Sequence, residues 1–332
     1  MRYRRLGGSG LNVSTVCLGA MTFGEVEKGF MAGVASSEAT SFAMLDRAVD
    51  QGVNFIDTAD VYGNGLSEQI LGRWLKKSGK REKLVIATKF RMSMGDGPND
   101  RGGSRAHVLD AVEKSLMRLQ IETIDLYQMH AQDRNVPIEE TLGALDDLVR
   151  AGKVRYLGCS NFTGERLVES LWVADKRNLS RFVALQPQYN LVQRNIEMEL
   201  LPACRRFGLG VICWSPLGRG FLSGKYTKNT PPPAGSRLAA WQDTFKQVDK
   251  DRNWATADEV KAVAKELDST PSRVALAWVL AQPGVTSVIV GARDVAQLDD
   301  NLGGETLVLP PELLARLDKA SVVDFGYPFD FL

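Results

Sequence analysis

From residue 36 almost to the end, two hydrophobic patterns alternate along the chain. In one, apolar positions recur every three or four residues, as a helix buried along one face requires. In the other, four to six consecutive positions are almost all apolar, as a strand covered on both faces requires. The first pattern predicts helices from Ser36-Ser37-Glu38 toward Asp50, closed by Gly52, then over 66–77, and over 106–119 entered through Ser104. A further helix has Pro137 at its start and runs to Ala151, with Gly152 as its stop, the usual proline-in and glycine-out asymmetry. The second pattern predicts strands over 15–18, 53–56, 84–88, 124–129, 154–159, 182–185, 210–214 and 287–290.

Eight apolar strands, most followed by a helix and with no break in composition, predict an α/β fold. Its economical form is a single closed (β/α)8 TIM barrel, one domain over 1–332. Two segments stand outside the repeat. Residues 3–6 and 11–14, joined through Gly7-Gly8-Ser9-Gly10, predict an N-terminal β-hairpin. Residues 227–254, with Pro231-Pro232-Pro233, predict a long loop after strand seven, of a length that usually carries function.

Composition narrows the partners. Forty-one basic residues against 40 acidic ones leave no broad field to attract nucleic acid or an anionic membrane. Cys17, Cys159, Cys204 and Cys213 show no CxxC spacing, which predicts buried free thiols and no metal cluster. The basic start runs into glycines instead of an apolar signal core, and no run approaches the roughly 18 apolar residues of a membrane span. The expected compartment is the cytoplasm. Oligomeric state is not legible.

The chemistry concentrates in four polar residues at or just past the ends of apolar runs: Asp57, Tyr62, Lys89 and His130. In a parallel barrel all strand ends ring one mouth, where catalytic groups gather. A tyrosine phenol, with an ordinary pKa near 10, gives up its proton reluctantly, and a lysine ammonium nearby favours the phenolate. Asp57 would hold that ammonium charged, and His130 would orient a substrate oxygen. Each has a plainer alternative: Asp57 capping a turn, Tyr62 exposed on a loop, Lys89 pairing at the surface. His107, on the helix entered at Ser104, reads as structural or solvated.

The chain resembles an aldo-keto reductase. The matching segments are Leu18-Gly19-Ala20-Met21-Thr22-Phe23-Gly24, Asn54-Phe55-Ile56-Asp57-Thr58-Ala59-Asp60-Val61-Tyr62-Gly63, Thr88-Lys89, Ile124-Asp125-Leu126-Tyr127-Gln128-Met129-His130, Gly158-Cys159-Ser160-Asn161-Phe162, Gln186-Pro187-Gln188-Tyr189-Asn190, Trp214-Ser215-Pro216-Leu217 and Val290-Gly291-Ala292-Arg293. They run in family order over about residues 2–320. No strand-GxGxxG-helix unit stands out, in keeping with a nicotinamide enzyme that lacks a Rossmann fold.

The resemblance implies NADPH as cofactor, a small-molecule carbonyl substrate, and Asp57, Tyr62, Lys89 and His130 as the catalytic tetrad. It implies that Gly19, Ala20, Met21 and Asp57 border the cofactor. Ser160, Asn161 and Gln186 would hold the carboxamide, and Trp214 would stack on the ring. Ser215, Pro216, Leu217, Arg219 and Gly220 would wrap the pyrophosphate, with Lys225 and Arg237 closing over it. Gly291, Arg293, Gln297, Asp300 and Asn301 would take the adenosine end, an arginine fork suiting a 2'-phosphate. Many members carry glutamate at Asp300 and lysine-serine at Gly291-Ala292. The Gly-Ala-Arg turn resembles instead a branch of bacterial reductases and potassium-channel β subunits.

The channel subunits have asparagine where His130 stands, so the resemblance favours a reductase. The alternative function is an NADP(H)-binding redox sensor with little turnover. A lysine Schiff-base enzyme built on Lys89 is a further rival. The substrate walls are expected from Phe23, Phe30, Met92 and Met94 with Arg91 and Asp96, a moderately apolar pocket. The tail, rich in aromatics at Phe325, Tyr327, Phe329 and Phe331, would pack on the barrel, cover the pocket or meet another subunit.

Overall fold

The computed structural model describes residues 1–26 and 32–331. Two short antiparallel strands, β1 (Tyr3–Arg5) and β2 (Asn12–Ser14), form the predicted hairpin. Eight parallel strands follow: β3 (Val16–Gly19), β4 (Phe55–Asp57), β5 (Val85–Phe90), β6 (Ile124–Met129), β7 (Val154–Ser160), β8 (Phe182–Gln186), β9 (Gly210–Cys213) and β10 (Val285–Val290). They close in sequence order, β10 pairing β3, into the expected barrel.

Helices cover the outside: α1 (Glu38–Asp50), α2 (Leu66–Ser78), α3 (Arg105–Leu119), α4 (Ile138–Arg150), α5 (Gly164–Arg177) and α6 (Leu200–Phe207). Serine and threonine caps start several of them. The Ser37 hydroxyl accepts from Thr40 N, and that of Ser104 from His107 N. The predicted loop at 227–254 is in large part helical. It carries α7 (Arg237–Ala240), α8 (Gln242–Val248) and the start of α9 (Asp251–Glu266), with α10 (Pro271–Ala281) leading to β10. Leu238, Trp241, Phe245 and Val248 recur at three, four and three residues, the helical spacing that the prolines upstream obscure. The chain ends with α11 (Val295–Gly303) and α12 (Pro311–Ala320).

The barrel interior has two chemical layers, and strand alternation creates both. Side chains two residues apart face the same way. Phe55, Ala87, Leu126 and Ala184 belong to a small apolar cluster with Cys17 and Ile212, and Leu6 and Val13 of the hairpin segment join it. Two residues further along each of four strands stand Asp57, Lys89, Gln128 and Gln186, all buried. The hairpin closes the N-terminal end tightly: at Gly7 (φ +58°) a Cβ would meet Gly208 O at 2.5 Å, so glycine is required.

The four cysteines are free and buried, as expected. No helix among the described residues is long and apolar enough to cross a membrane. In the tail, Phe325 packs edge-on against Phe329 and Tyr327 against Phe331, with ring centroids 6.4 and 5.8 Å apart. None of the four rings lines the cavity at the mouth.

Candidate active site

The polar layer opens into a cavity of about 870 Å³ at the C-terminal end of the barrel, near the top of the roughly 300–1,000 Å³ range of ligand pockets. Asp57 is the last residue of β4, and Lys89 lies inside β5 instead of beyond it. Lys89 is fully buried. Its Nζ donates to Asp57 Oδ1 at 2.5 Å, to Thr58 O at 2.9 Å and to Tyr62 Oη at 3.3 Å. Tyr62 sits on the turn after β4, where Gly63, Asn64 and Gly65 take left-handed φ in succession and swing the chain into α2.

Asp57 Oδ2 accepts from Gln128 Nε2 at 3.1 Å and from Gln186 Nε2 at 2.8 Å. A carboxylate only accepts, so both amides must aim nitrogen at it. Gln128 is a residue that reading strand exits alone overlooked. Its signal was a glutamine two positions after Leu126 in an apolar strand. Gly158 makes room for it, because a Cβ there would stand 3.0 Å from Gln128 Cγ.

Electrostatics assign each group a state. Burial works against the Lys89 charge, but Asp57 and Tyr62 together outweigh it and hold its pKa above the ordinary value. For Tyr62 burial is the larger effect and raises the phenol pKa, although Lys89 pulls it down. The expectation that the lysine would ease the proton away is thus met in direction and outweighed in sum, leaving Tyr62 a phenol. Burial and the charges of Lys89 and Arg91 push His130 down to about 3, so its imidazole is neutral. The Tyr62 and His130 rings meet edge-on, 5.7 Å between centroids. His107 is buried, with Nδ1 3.1 Å from Asn99 O and its pKa lowered by burial, a structural position.

Along the wall, Ser160 Oγ donates to Gln186 O at 2.7 Å. Asn161 (φ +54°) donates to His130 O at 2.9 Å and accepts from Trp214 Nε1 at 3.2 Å. Gly19, Met21, Asp57, Ser160, Asn161, Gln186, Trp214, Ser215, Pro216, Leu217, Arg219, Gly220, Lys225, Arg237, Gly291, Arg293, Gln297 and Asn301 all border the cavity. Ala20 is fully buried and donates its N–H to Asp57 O at 2.8 Å, outside the lining. Asp300 is also outside it: its carboxylate accepts from Thr270 Oγ1 at 2.9 Å and pairs with Arg273 at 3.0 Å. Of the expected substrate walls, Met92 lines the cavity, as do Val26, Val61 and Ser93. Phe23 packs in the core, Met94, Arg91 and Asp96 are not in the lining, and Phe30 lies outside the described residues.

One end of the cavity gathers Arg219, Lys225, Arg237 and Arg293, none of them paired with a described carboxylate. Burial comes first in lowering the pKa of Lys225 and Arg237, and neighbouring arginines lower both further. Positive charges placed together without acids make a seat for an anion. A Cβ on Gly291 would meet only Gly19 O, at 4.0 Å, so the backbone there borders open space. Such a floor suits close approach of a phosphate-bearing ligand. Arg293 donates to Gly235 O at 2.5 Å, Arg219 donates to Thr244 Oγ1 at 3.1 Å, and Trp241 packs with Val34. These contacts hold α7–α8 across that end.

A (β/α)8 barrel with a buried lysine-carboxylate pair beside a phenol, opening on a cationic cleft, defines a class of barrel oxidoreductases. The sequence matches the Aldo/keto reductase family over residues 15–322. The chain belongs to the aldo/keto reductase family and is an oxidoreductase of that family. It is 42% identical to the uncharacterized oxidoreductase YrpG of Bacillus subtilis (strain 168), over 96% of this chain and 95% of that one. It is 36% identical to a probable voltage-gated potassium channel subunit beta of Arabidopsis thaliana, over 96% of each. It is also 36% identical to Protein tas of Escherichia coli (strain K12), over 99% of each.

Proposed function

We propose that this protein reduces an aldehyde or ketone to an alcohol with NADPH, Tyr62 acting as proton donor. The observation that carries the reading is the Tyr62 hydroxyl 3.3 Å from a charged, fully buried Lys89, on a cavity whose far end holds four cations without acids. A dinucleotide bearing a pyrophosphate and a third phosphate fits that charge better than a neutral ligand does. The residues fit the cofactor. Arg219, Lys225, Arg237 and Arg293 would hold its phosphates, Trp214 would flank its nicotinamide, and the free Gln186 Oε1, with Ser160 and Asn161, would fix the carboxamide.

When bound, the nicotinamide supplies a hydride to the carbonyl carbon. The chain supplies the remainder. Burial keeps the Tyr62 proton in place until the substrate oxygen gains electron density, and Lys89 then stabilises the phenolate left behind. Asp57 keeps Lys89 charged, and Gln128 and Gln186 hold Asp57 by satisfying its second oxygen. Neutral His130 acts as an oriented hydrogen-bond group without adding a competing charge. The four groups act on a cytoplasmic small molecule in this reading.

The test follows NADPH absorbance at 340 nm over a panel of aldehydes and ketones, comparing wild type with Tyr62→Phe. Turnover in the wild type, reduced at least about a thousandfold in the variant with NADPH affinity nearly intact, is expected. NADPH binding without turnover of any carbonyl would turn the reading to a redox-sensing role. That role has its support in the likeness to the probable channel β subunit. A borohydride-trapped adduct on Lys89 would turn it to Schiff-base chemistry.

A further inference from the structure

Beside His130 stands Arg91, a cation to which the mechanism above gives no task. It follows the last residue of β5, and its φ of +105° is a conformation that side-chain-bearing residues rarely adopt. The chain is fixed there from both sides: His130 N donates to Phe90 O at 3.0 Å, and Gly102 N donates to Arg91 O at 2.9 Å. Met92 and Ser93, the next two residues, line the cavity.

The half-buried guanidinium has no charged partner among the described residues. Its Nε is buried without an acceptor, and its Nη1 reaches only the Met92 sulfur at 3.8 Å. Two acids on the flanking loops bond backbone amides instead. Asp100 accepts from Gly97 N, and Asp133 accepts from Gly103 N and Asn135 N. A desolvated donor of this kind left without an acceptor is costly unless a ligand completes it. The Nδ1 of neighbouring His130, a residue that lines the cavity, is also buried without a partner.

The geometry points to Arg91, which stands just outside the lining beside Met92, Ser93 and His130, as a specificity residue that receives a carboxylate reaching past the cavity wall from the carbonyl substrate, making oxo-acids the preferred substrate class. The idea rests on the reductase reading for its carbonyl, while the anion site itself does not depend on turnover. A carboxylate matches the planar fork of an arginine. The charge of Arg91, which already bears on the His130 imidazole, would then be neutralised when substrate is seated.

Two measurements test it. The first compares kcat/KM for 2-, 3- and 4-carboxybenzaldehyde with that for benzaldehyde, in wild type and Arg91→Gln. At least one carboxylated isomer is expected to exceed benzaldehyde tenfold in the wild type, with that ratio falling ten- to a hundredfold in the variant, the range of a hydrogen-bonded charge. The second is calorimetric titration of benzoate and benzamide into NADP⁺-treated protein. Benzoate is expected to bind more tightly than benzamide, and Arg91→Gln to remove the difference. A ratio untouched by the substitution, or no advantage for any carboxylate, overturns the assignment. An equal loss on charged and neutral aldehydes with a displaced pH profile also overturns it, making Arg91 a positioning residue for His130. Arg91-dependent benzoate binding without reduction of any aldehyde would leave the anion site standing and remove the reductase reading.

Discussion

At the residue scale, Asp60 lies two positions before Tyr62, fully buried, with one carboxyl oxygen held by Val61 N at 2.6 Å and the other without a partner. Burial first, and then Glu68, raise its pKa from 3.8 to about 7. The folded state thus holds this proton more tightly than the unfolded chain does. The associated stability is fully present below about pH 3.8 and is lost as pH rises through about 7. His130 works in the opposite sense: its folded pKa of about 3 lies below the ordinary 6.5, so its contribution is present above 6.5 and lost as pH falls toward 3. Asp60→Asn removes the ionisable group. Its unfolding temperature relative to wild type is therefore expected to be higher at pH 8.5 than at pH 5, by about 2–5 °C. Scanning calorimetry at the two pH values checks this, and an equal difference at both would show that Asp60 does not titrate between them. Asp57, Tyr62, Lys89 and His130 were legible because strand exits in a barrel share one mouth. Gln128 and the burial of Asp60 were not, since both depend on which way a strand residue faces and on what α2 brings against it.

At the scale of elements, every barrel strand was visible as an apolar run, with ends that coincide or shift by one or two residues, as where the polar inward residue Lys89 continues its strand. The segment after β9 was harder to read. Pro231-Pro232-Pro233 signals a loop, and the helices α7 and α8, four and seven residues long, are too short to show a sustained helical period. Their place in the molecule gives them a task. Trp241 packs with Val34 from the loop after β3, and Arg293 and Arg219 fasten the segment to two further loops. A ligand seated under this bridge would be retained by it. Trp241→Ala is expected to speed NADPH release about tenfold and to increase hydrogen exchange across 235–248, with the barrel strands unaffected. Stopped-flow displacement with exchange mass spectrometry reads both. An unchanged release rate would mean that the bridge does not retain the cofactor.

At the scale of the whole molecule, the barrel separates stability from chemistry along its axis. The N-terminal end is closed by Leu6 and Val13 against Phe55, Ala87, Leu126 and Ala184. The C-terminal end gives up apolar packing for Asp57, Lys89, Gln128 and Gln186, charges and amides that satisfy one another. Replacing one partner in that buried layer leaves another unsatisfied, while trimming the apolar plug only opens a cavity. The two ends should therefore respond to substitution in separable ways. Leu6→Ala, far from the mouth, is expected to lower unfolding stability by about 2–5 kcal/mol without altering NADPH affinity at a temperature where the protein stays folded. Arg293→Ala, exposed at the rim, is expected to weaken NADPH at least tenfold and NADH little, with the unfolding temperature within about 1 °C of wild type. Denaturant titration of Leu6→Ala, a thermal scan of Arg293→Ala and cofactor binding by both variants give these values. Loss of NADPH affinity in Leu6→Ala would show that the plug and the mouth are coupled through the strands. Equal losses for NADPH and NADH in Arg293→Ala would show that this arginine does not read the extra phosphate.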